Sequence, residues 1–232
     1  KTVGIAEAVL SETIADWETA LPDEIKLAYL PRLGQVRMRL TATGNDLAHL
    51  KELVEIEIAK LFPLVGNYIY AYDDEEIEHT IGKLLTDRGE KLATAESCTG
   101  GLIANRITDI AGCSAYYEGG IVAYSNNVKN QQLGVKAETL AQHGAVSEQT
   151  AMEMAENARI KYGADYGIST TGIAGPGGAT PDKPVGTIWI GYSDKNETFA
   201  KLYNLTKDRM LNVNFTYNLA MNLLRKKLIE QD

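Results

Sequence analysis

The chain has 232 residues, 44% of them hydrophobic and 23% charged, which is enough for one or two buried cores. No run reaches the ~18 apolar residues of a membrane span, and the N-terminus lacks a signal-peptide pattern, so we expect a cytoplasmic protein with no membrane partner. The net charge of −8 falls entirely on residues 1–90, where 9 Lys and Arg face 17 Asp and Glu. Because nucleic-acid binding depends on Lys and Arg contacts with phosphates, this acidic part is not expected to bind nucleic acid.

The cysteines and histidines form no pattern for disulfides or metal binding. Cys98 and Cys113 are the only cysteines, and the three histidines are scattered without ligand spacing. We therefore expect no metal. The sequence begins with Lys1 instead of methionine, so we expect a fragment or a processed chain with a segment missing upstream.

Residues 1–75 combine helical periodicity with period-two alternation, and are predicted to form a small α+β domain. A Pro-Arg-Leu-Gly turn joins two alternating segments into a β-hairpin. The predicted elements are helix 4–20, strands 25–30 and 36–41, helix 46–62 and strand 68–72.

The acidic run at residues 73–76 suits the first turn of a helix, because carboxylates there face the positive end of the helix dipole. Apolar residues then recur at helical spacing, and Gly89 can end the helix. We predict a linker helix over residues 76–90.

From residue 91 onward strands and helices alternate, which predicts an α/β domain with three α/β/α layers over residues 91–232. A late hairpin makes the predicted sheet mixed. The predicted elements are strand 91–95, a helix from near 99 to 109, a strand in the later half of 116–124, a helix from 147, strand 165–171, strands 185–192 and 197–205, and helix 207–228.

Three strand ends of this domain are polar: residues 97–99, 124–126 and 171–175. Ligands in open α/β sheets bind beyond the carboxyl ends of strands. We therefore expect the functional site where these three segments meet.

The first of these segments places a hydroxyl, a thiol and two glycines where a strand gives way to a helix. The unpaired N–H groups of the helix start can face an oxyanion or a phosphate, and Gly100 and Gly101 allow close approach. The alternative is an ordinary N-cap with glycines that let helix and sheet pack closely. Glu96 either faces the site or anchors the turn.

Ser97 and Cys98 are competing candidates for a nucleophile, since adjacent residues of a strand face opposite ways and the turn leaves the choice open. Lys129 is the best candidate base, because a lysine whose pKa is lowered by burial can accept a proton from serine. Tyr124 is expected to relay the proton or to hold the lysine.

The loop at residues 172–178 has four glycines after a strand, which indicates a loop of backbone donors. It lacks the G-x-G-x-x-G and Walker A patterns, so binding of a nucleoside triphosphate is not supported.

Five motifs follow one another over about 140 residues: Ala95 to Gly101, Tyr124-Ser125-Asn126 with Lys129, Gly144 to Glu148, Thr171 to Pro176, and Lys183 to Thr187. Together they closely resemble the CinA C-terminal family. That resemblance implies a bacterial nicotinamide-nucleotide amidohydrolase, which converts nicotinamide mononucleotide to nicotinate mononucleotide and ammonia without a cofactor. Through Ala28-Tyr29-Leu30-Pro31 and Arg39-Leu40-Thr41, residues 1–75 likewise resemble the KH-like middle domain of full-length CinA proteins.

The family's Ser, Tyr and Lys triad falls on Ser97, Tyr124 and Lys129, which favours serine over Cys98 as the nucleophile. The resemblance further implies a homodimer and an absent N-terminal domain that resembles molybdopterin-binding proteins. The expected substrate-binding residues are Glu96, Thr99, Gly100, Gly101, Ser125, Asn126, Thr171, Gly172, Ala174, Gly175 and Arg209.

One departure concerns the final helix, where the family usually has basic residues a turn past its Arg. Here Arg209 is followed by Asn212-Val213-Asn214. If those basic residues hold a phosphate in the family, Arg209 and the glycine loop must contribute more to phosphate binding in this chain.

The alternative function is a non-catalytic module that binds nucleotide or RNA. KH domains hold nucleic acid through a GxxG loop, and residues 1–75 contain none. The sequence therefore favours an amidase that works through a Ser97 acyl-enzyme, with Lys129 as base and N–H groups near Thr99 to Gly101 as oxyanion donors.

Overall fold

The computed structural model describes residues 1–230 and divides the chain into two units, Lys1–Glu76 and the part from Ile77 onward. In the first unit, three antiparallel strands in the order β1-β3-β2 are combined with three helices. Its elements are β1 (Thr2–Val3), α1 (Glu7–Thr13), α2 (Ala15–Thr19), β2 (Ile25–Arg32), β3 (Gln35–Ala42) and α3 (Leu47–Val65).

The core of the first unit lies between its sheet and its helices, where Leu10, Trp17 and Leu61 are buried together. The helix predicted over 4–20 is two helices, since Ile14 between them has a non-helical φ of −109° and ψ of 11°. The strand predicted at 68–72 does not form. Instead, a 3₁₀ turn ends at Tyr68, and Ile69 forms a single β-bridge with Thr2 of β1. Because β1 has only two residues, it cannot pair with a longer strand.

The second unit contains five strands and six α-helices among its described residues. They are α4 (Ile77–Arg88), β4 (Leu92–Glu96), α5 (Leu102–Thr108), β5 (Tyr117–Val122), α6 (Asn126–Gln131), α7 (Ala137–His143), α8 (Glu148–Tyr162), β6 (Tyr166–Gly172), β7 (Thr187–Ser193), β8 (Thr198–Asn204) and α9 (Arg209–Ile229).

The sheet of the second unit has the order β5-β4-β6-β7-β8. Strand β4 is parallel to both of its neighbours, whereas β6, β7 and β8 are antiparallel in sequence, so the sheet is mixed. Helix α8 packs on one face, and α9, α4 and α5 cover the other. The predicted three-layer α/β/α fold is confirmed. The carboxyl ends of β4, β5 and β6 lie at the same edge of the sheet.

Three helices of this unit differ from the predicted elements. The helix predicted over residues 76–90 forms as α4, which buries Ile77, Ile81 and Leu85 and packs on α9 as part of the second unit. Helices α6 and α7 were not among the predicted elements. The Ser125 hydroxyl caps α6 by accepting a hydrogen bond from the Val128 N–H at 3.2 Å.

No helix within residues 1–230 combines the length and apolar character needed to cross a membrane.

Candidate active site

The turn of residues 97–101 joins the buried strand β4 to helix α5. The Ser97 N–H donates to the Thr170 carbonyl on β6 at 2.9 Å, and the Gly100 N–H donates to the Ser97 carbonyl at 3.1 Å. Gly100 and Gly101 have φ of 64° and 99°, a conformation that favours glycine. Because of these two positive φ values, α5 begins at Leu102 and not near Thr99 as expected.

Lys129 lies on α6 with its side chain buried, and only 1% of the residue is exposed. Its Nζ lies 2.9 Å from Ser97 Oγ. The same Nζ donates to the carbonyls of Ala123 at 2.7 Å and Tyr124 at 3.3 Å. The structure therefore brings the candidate base and the candidate nucleophile into direct hydrogen-bond contact.

The environment of Lys129 disfavours its charged form. Its three polar partners are a hydroxyl and two carbonyls, all uncharged. Burial lowers the pKa of the Lys129 ammonium from 10.5 to about 8. A substantial fraction of Lys129 is thus neutral at slightly alkaline pH, as a general base must be.

The Cys98 thiol lies beside this pair but is in the wrong protonation state for attack. Burial raises the pKa of Cys98 to about 12, although the positive charge of Lys129 and a hydrogen bond with Thr170 act in the opposite direction. Since the thiolate is the nucleophilic form, Cys98 is a poor nucleophile at neutral pH.

Glu96 anchors the turn. Its carboxylate accepts hydrogen bonds from the N–H groups of Gly101 at 3.0 Å, Ile103 at 3.1 Å and Ala104 at 2.8 Å. A negative charge at this helix start is favourable, and Glu96 is almost completely buried. Glu96 was expected either to face the site or to anchor the turn, and its hydrogen bonds show that it anchors the turn.

The backbone donors of the turn lie one residue earlier than the sequence predicted. The N–H groups of Gly100 and Gly101 are already used by Ser97 and Glu96. Within residues 1–230, the N–H groups of Cys98 and Thr99 donate to no other residue. These two groups directly follow the Ser97 hydroxyl in the chain, as oxyanion donors commonly follow a nucleophile.

The end of β6 is fixed by a side-chain hydrogen bond and by close packing against β7. The Thr171 hydroxyl donates to the Ala145 carbonyl at 2.7 Å. Gly172 packs so closely against β7 that an added Cβ would lie 2.8 Å from the Thr187 carbonyl oxygen. Gly172 is therefore explained by strand packing, whatever ligand the loop binds.

Arg209 and Asn212, from the start of α9, bind this loop from the other side. Arg209 Nη1 donates to the Gly175 carbonyl at 2.8 Å, and Asn212 Nδ2 donates to the Ala174 carbonyl at 2.9 Å. Asn212 is fully buried and also receives a hydrogen bond from the Thr206 N–H. Sequence reasoning noted Asn212 only as a missing base and did not detect this anchoring role.

Tyr124 lies at the mouth of the site with 59% of its surface exposed. Its hydroxyl accepts a hydrogen bond from Arg209 Nη2 at 3.2 Å, while its backbone carbonyl binds Lys129. The structure thus gives the expected lysine-holding role to the Tyr124 carbonyl and pairs its phenol with Arg209.

These side chains surround a cleft of about 190 Å³. Ala145 and Val146 line it without having been predicted, although their Gly-Ala-Val-Ser motif was a signal. Ser125, whose hydroxyl caps α6, and Asn126 are exposed beside the cleft, whereas Thr99, Gly100 and Gly175 belong to its supporting turns. The predicted residues that line the cleft are Ser97, Tyr124, Lys129, Thr171, Gly172, Ala174 and Arg209.

Comparison with known protein families matches both parts of the chain. Residues 74–228 match the CinA C-terminal domain, and residues 1–71 match the damage-inducible protein CinA KH domain. A CinA-like protein of Amoebophilus asiaticus is 49% identical over 98% of this chain and 55% of its own length. One from Cytophaga hutchinsonii is 45% identical over 99% of this chain and 55% of its own length. The chain spans about half the length of these curated relatives.

Crystal structures of related proteins resemble about two thirds of the chain. A competence-damaged protein (CinA) superfamily protein from Klebsiella pneumoniae is 34% identical with a TM-score of 0.64, covering 67% of this chain and 99% of that chain. A competence/damage inducible protein from Agrobacterium tumefaciens is 39% identical with a TM-score of 0.62, covering 67% and 96%. The family predicted from the sequence motifs is confirmed: the chain belongs to the CinA family, with a KH domain followed by the CinA C-terminal domain.

Proposed function

We propose that the second unit hydrolyses the carboxamide of nicotinamide mononucleotide to nicotinate mononucleotide and ammonia. The observation that carries this proposal is the 2.9 Å hydrogen bond between the buried Lys129 Nζ and Ser97 Oγ. A lysine of lowered pKa beside a serine hydroxyl is an arrangement for acyl transfer. Nicotinamide mononucleotide is chosen as the amide substrate because the sequence motifs resemble those of the CinA C-terminal family.

The contacts of Lys129 suit a neutral amine acting as base. A neutral amine has two N–H groups and one lone pair. The carbonyls of Ala123 and Tyr124 accept the two N–H groups, and the lone pair is then directed at the Ser97 hydroxyl. Fixing the amine in this way prepares it to accept the serine proton without reorientation.

In the proposed reaction, Ser97 Oγ attacks the carboxamide carbon as its proton moves to Lys129 Nζ. The tetrahedral oxyanion accepts hydrogen bonds from the N–H groups of Cys98 and Thr99, each worth roughly 3 kcal/mol. Lys129 returns the proton to the leaving nitrogen, which departs as ammonia. Water then attacks the Ser97 ester as Lys129 takes one of its protons. Lys129 passes that proton to Ser97 Oγ as the ester bond breaks and the carboxylic acid leaves.

Arg209 is proposed to bind the phosphate at the mouth of the cleft, since guanidinium groups suit phosphate oxygens. Its hydrogen bonds to the Gly175 carbonyl and the Tyr124 hydroxyl fix its direction. Within residues 1–230, the N–H groups of Ala174 and Gly175 donate to no other residue and are available as further phosphate donors. The homodimer, the cytoplasmic location and the absence of a cofactor stay predictions.

The proposal is tested by incubating the chain with nicotinamide mononucleotide and measuring ammonia and nicotinate mononucleotide together. We expect equimolar products, their loss in Ser97→Ala, and their retention in Cys98→Ala because that thiol is protonated. Failure of the unaltered chain to release ammonia would contradict the proposed reaction. Full activity in Ser97→Ala would refute the nucleophile.

A further inference from the structure

Thr170 is a completely buried residue of β6, paired in register with Glu96 on β4. It does not line the cleft, and the proposed mechanism assigns it no step. It lies directly behind the turn of residues 97–101, where it contacts Ser97 and Thr99.

Two residues of the turn hydrogen-bond to Thr170. The Ser97 N–H donates to its carbonyl at 2.9 Å. Its hydroxyl hydrogen-bonds the Thr99 hydroxyl at 2.7 Å. Thr170 therefore holds the turn on both sides of Cys98.

The backbone and the side chain of Thr170 therefore control different parts of the turn. The carbonyl holds Ser97 in every variant at position 170, whereas only the hydroxyl holds the side chain of Thr99. The N–H groups of Cys98 and Thr99 are the two proposed oxyanion donors. The Ser97–Lys129 contact involves neither side chain.

We propose that the Thr170 hydroxyl is a positioning group that aims these two N–H groups at the oxyanion. This inference rests on the proposed amidase function. A positioning role at the oxyanion lowers kcat when it is lost, because the interaction is strongest in the transition state. It leaves substrate affinity and the titration of Lys129 in place.

The test compares Thr170→Val, which keeps the shape and removes the hydroxyl, with Thr170→Ser, which keeps the hydroxyl. We expect Thr170→Val to lower kcat for nicotinamide mononucleotide by about 10- to 100-fold, with KM within about twofold. Thr170→Ser should restore kcat to within about threefold of the unaltered chain. The acidic limb of the pH profile should stay in place in both variants.

Ser169→Ala is the matched control on the same strand. Ser169 is equally buried, and its hydroxyl donates to the Ala151 carbonyl of α8 at 2.6 Å, away from the turn. This variant loses a buried hydroxyl and should keep kcat. If Thr170→Val does not fold, Thr99→Val removes the other end of the same hydrogen bond and should give the same fall in kcat.

Unaltered kcat in Thr170→Val or, where that variant does not fold, in Thr99→Val would overturn the inference. So would an equal fall in Ser169→Ala, since the effect would then come from general packing of β6. A shifted acidic limb would also overturn it, because Lys129 would then be the group affected. Failure of the proposed function is distinguished from these results, since the unaltered chain would then produce no ammonia.

Discussion

Two glycine-rich loops follow neighbouring strands of one sheet, the turn of residues 97–101 after β4 and the loop of residues 172–178 after β6. In the first, glycine N–H groups are bound internally, and the two unpaired donors belong to Cys98 and Thr99. In the second, the carbonyls of Ala174 and Gly175 bind side chains of α9.

Similar composition thus serves different tasks in the two loops. The turn after β4 presents a hydroxyl and backbone donors to a reacting group. The loop after β6 carries no nucleophile, and its carbonyls fix Arg209 at the opposite side of the cleft. We infer that the first loop contributes mainly to the rate of the chemical step and the second mainly to substrate affinity. The following variants test this division.

Replacing the base should have the largest effect. We expect Lys129→Met to lower kcat for nicotinamide mononucleotide by about a thousandfold or more, because Ser97 then has no proton acceptor. The matched control is Lys161→Met, which removes another lysine whose Nζ donates to a backbone carbonyl, that of Gln132, but on the surface. Steady-state ammonia release measures both. Substantial kcat in Lys129→Met would assign the rate of the chemical step to another group.

The pH dependence should report the same lysine. Only the neutral amine accepts a proton, and the pKa of Lys129 is lowered to about 8. Therefore kcat/KM should rise tenfold per pH unit below that value and level off above it, so that the rate at pH 6 is about a hundredfold below the plateau. The rise of kcat/KM below pH 8 should be unchanged in Cys98→Ala. A profile that is flat from pH 6 to 9 would contradict the proposed base.

Arg209→Gln should act mainly on affinity. We expect KM to rise by about tenfold to a hundredfold, with a smaller change in kcat, because a phosphate contact is present in both the ground and transition states. Arg209→Lys should be intermediate, since it keeps the charge but loses the fixed fork of donors. Arg106→Gln, at an exposed position of α5, is the control. An effect on kcat alone would remove the proposed distinction between the loops.

Sequence patterns predicted the main parts of this site because residue type and strand order were sufficient for them. A polar residue at the carboxyl end of each of three strands implied a common site, and the structure places Ser97, Tyr124 and Thr171 around one cleft. The late hairpin likewise predicted that the sheet is mixed. These features depend on local periodicity and on the order of the elements along the chain, both of which can be read from the sequence.

Other features depended on side-chain directions or on contacts between segments distant in the chain, which sequence patterns do not show. The donors moved to Cys98 and Thr99 because Glu96 took the Gly101 N–H, and spacing could not decide where that carboxylate pointed. The role of Asn212 requires the Ala174 carbonyl, which lies 38 residues earlier in the chain. The exposed phenol of Tyr124 was likewise set by Arg209 from the last helix.

The smallest effects are expected from alanine replacements that compare the glycines of the two loops. At Gly100, φ is 64° and an added Cβ would meet no atom within 4 Å, so Gly100→Ala should cost about 1 kcal/mol of unfolding free energy through backbone strain alone. At Gly172 the Cβ would lie 2.3 Å from Ile188 Cδ1 and 2.8 Å from the Thr187 carbonyl oxygen, so Gly172→Ala should cost about 3 kcal/mol.

Gly177→Ala provides the control for this comparison, since its Cβ would also meet no atom within 4 Å and its φ is not positive. We expect its unfolding free energy to stay within about 0.5 kcal/mol of the unaltered chain. Urea denaturation of the three variants measures all of these values. Equal losses at Gly100 and Gly172 would show that close packing against β7 does not distinguish the loop after β6. The expected order of losses, largest at Gly172, would show that the second loop is packed on the sheet. The Gly175 carbonyl that binds Arg209 would then belong to a rigid loop.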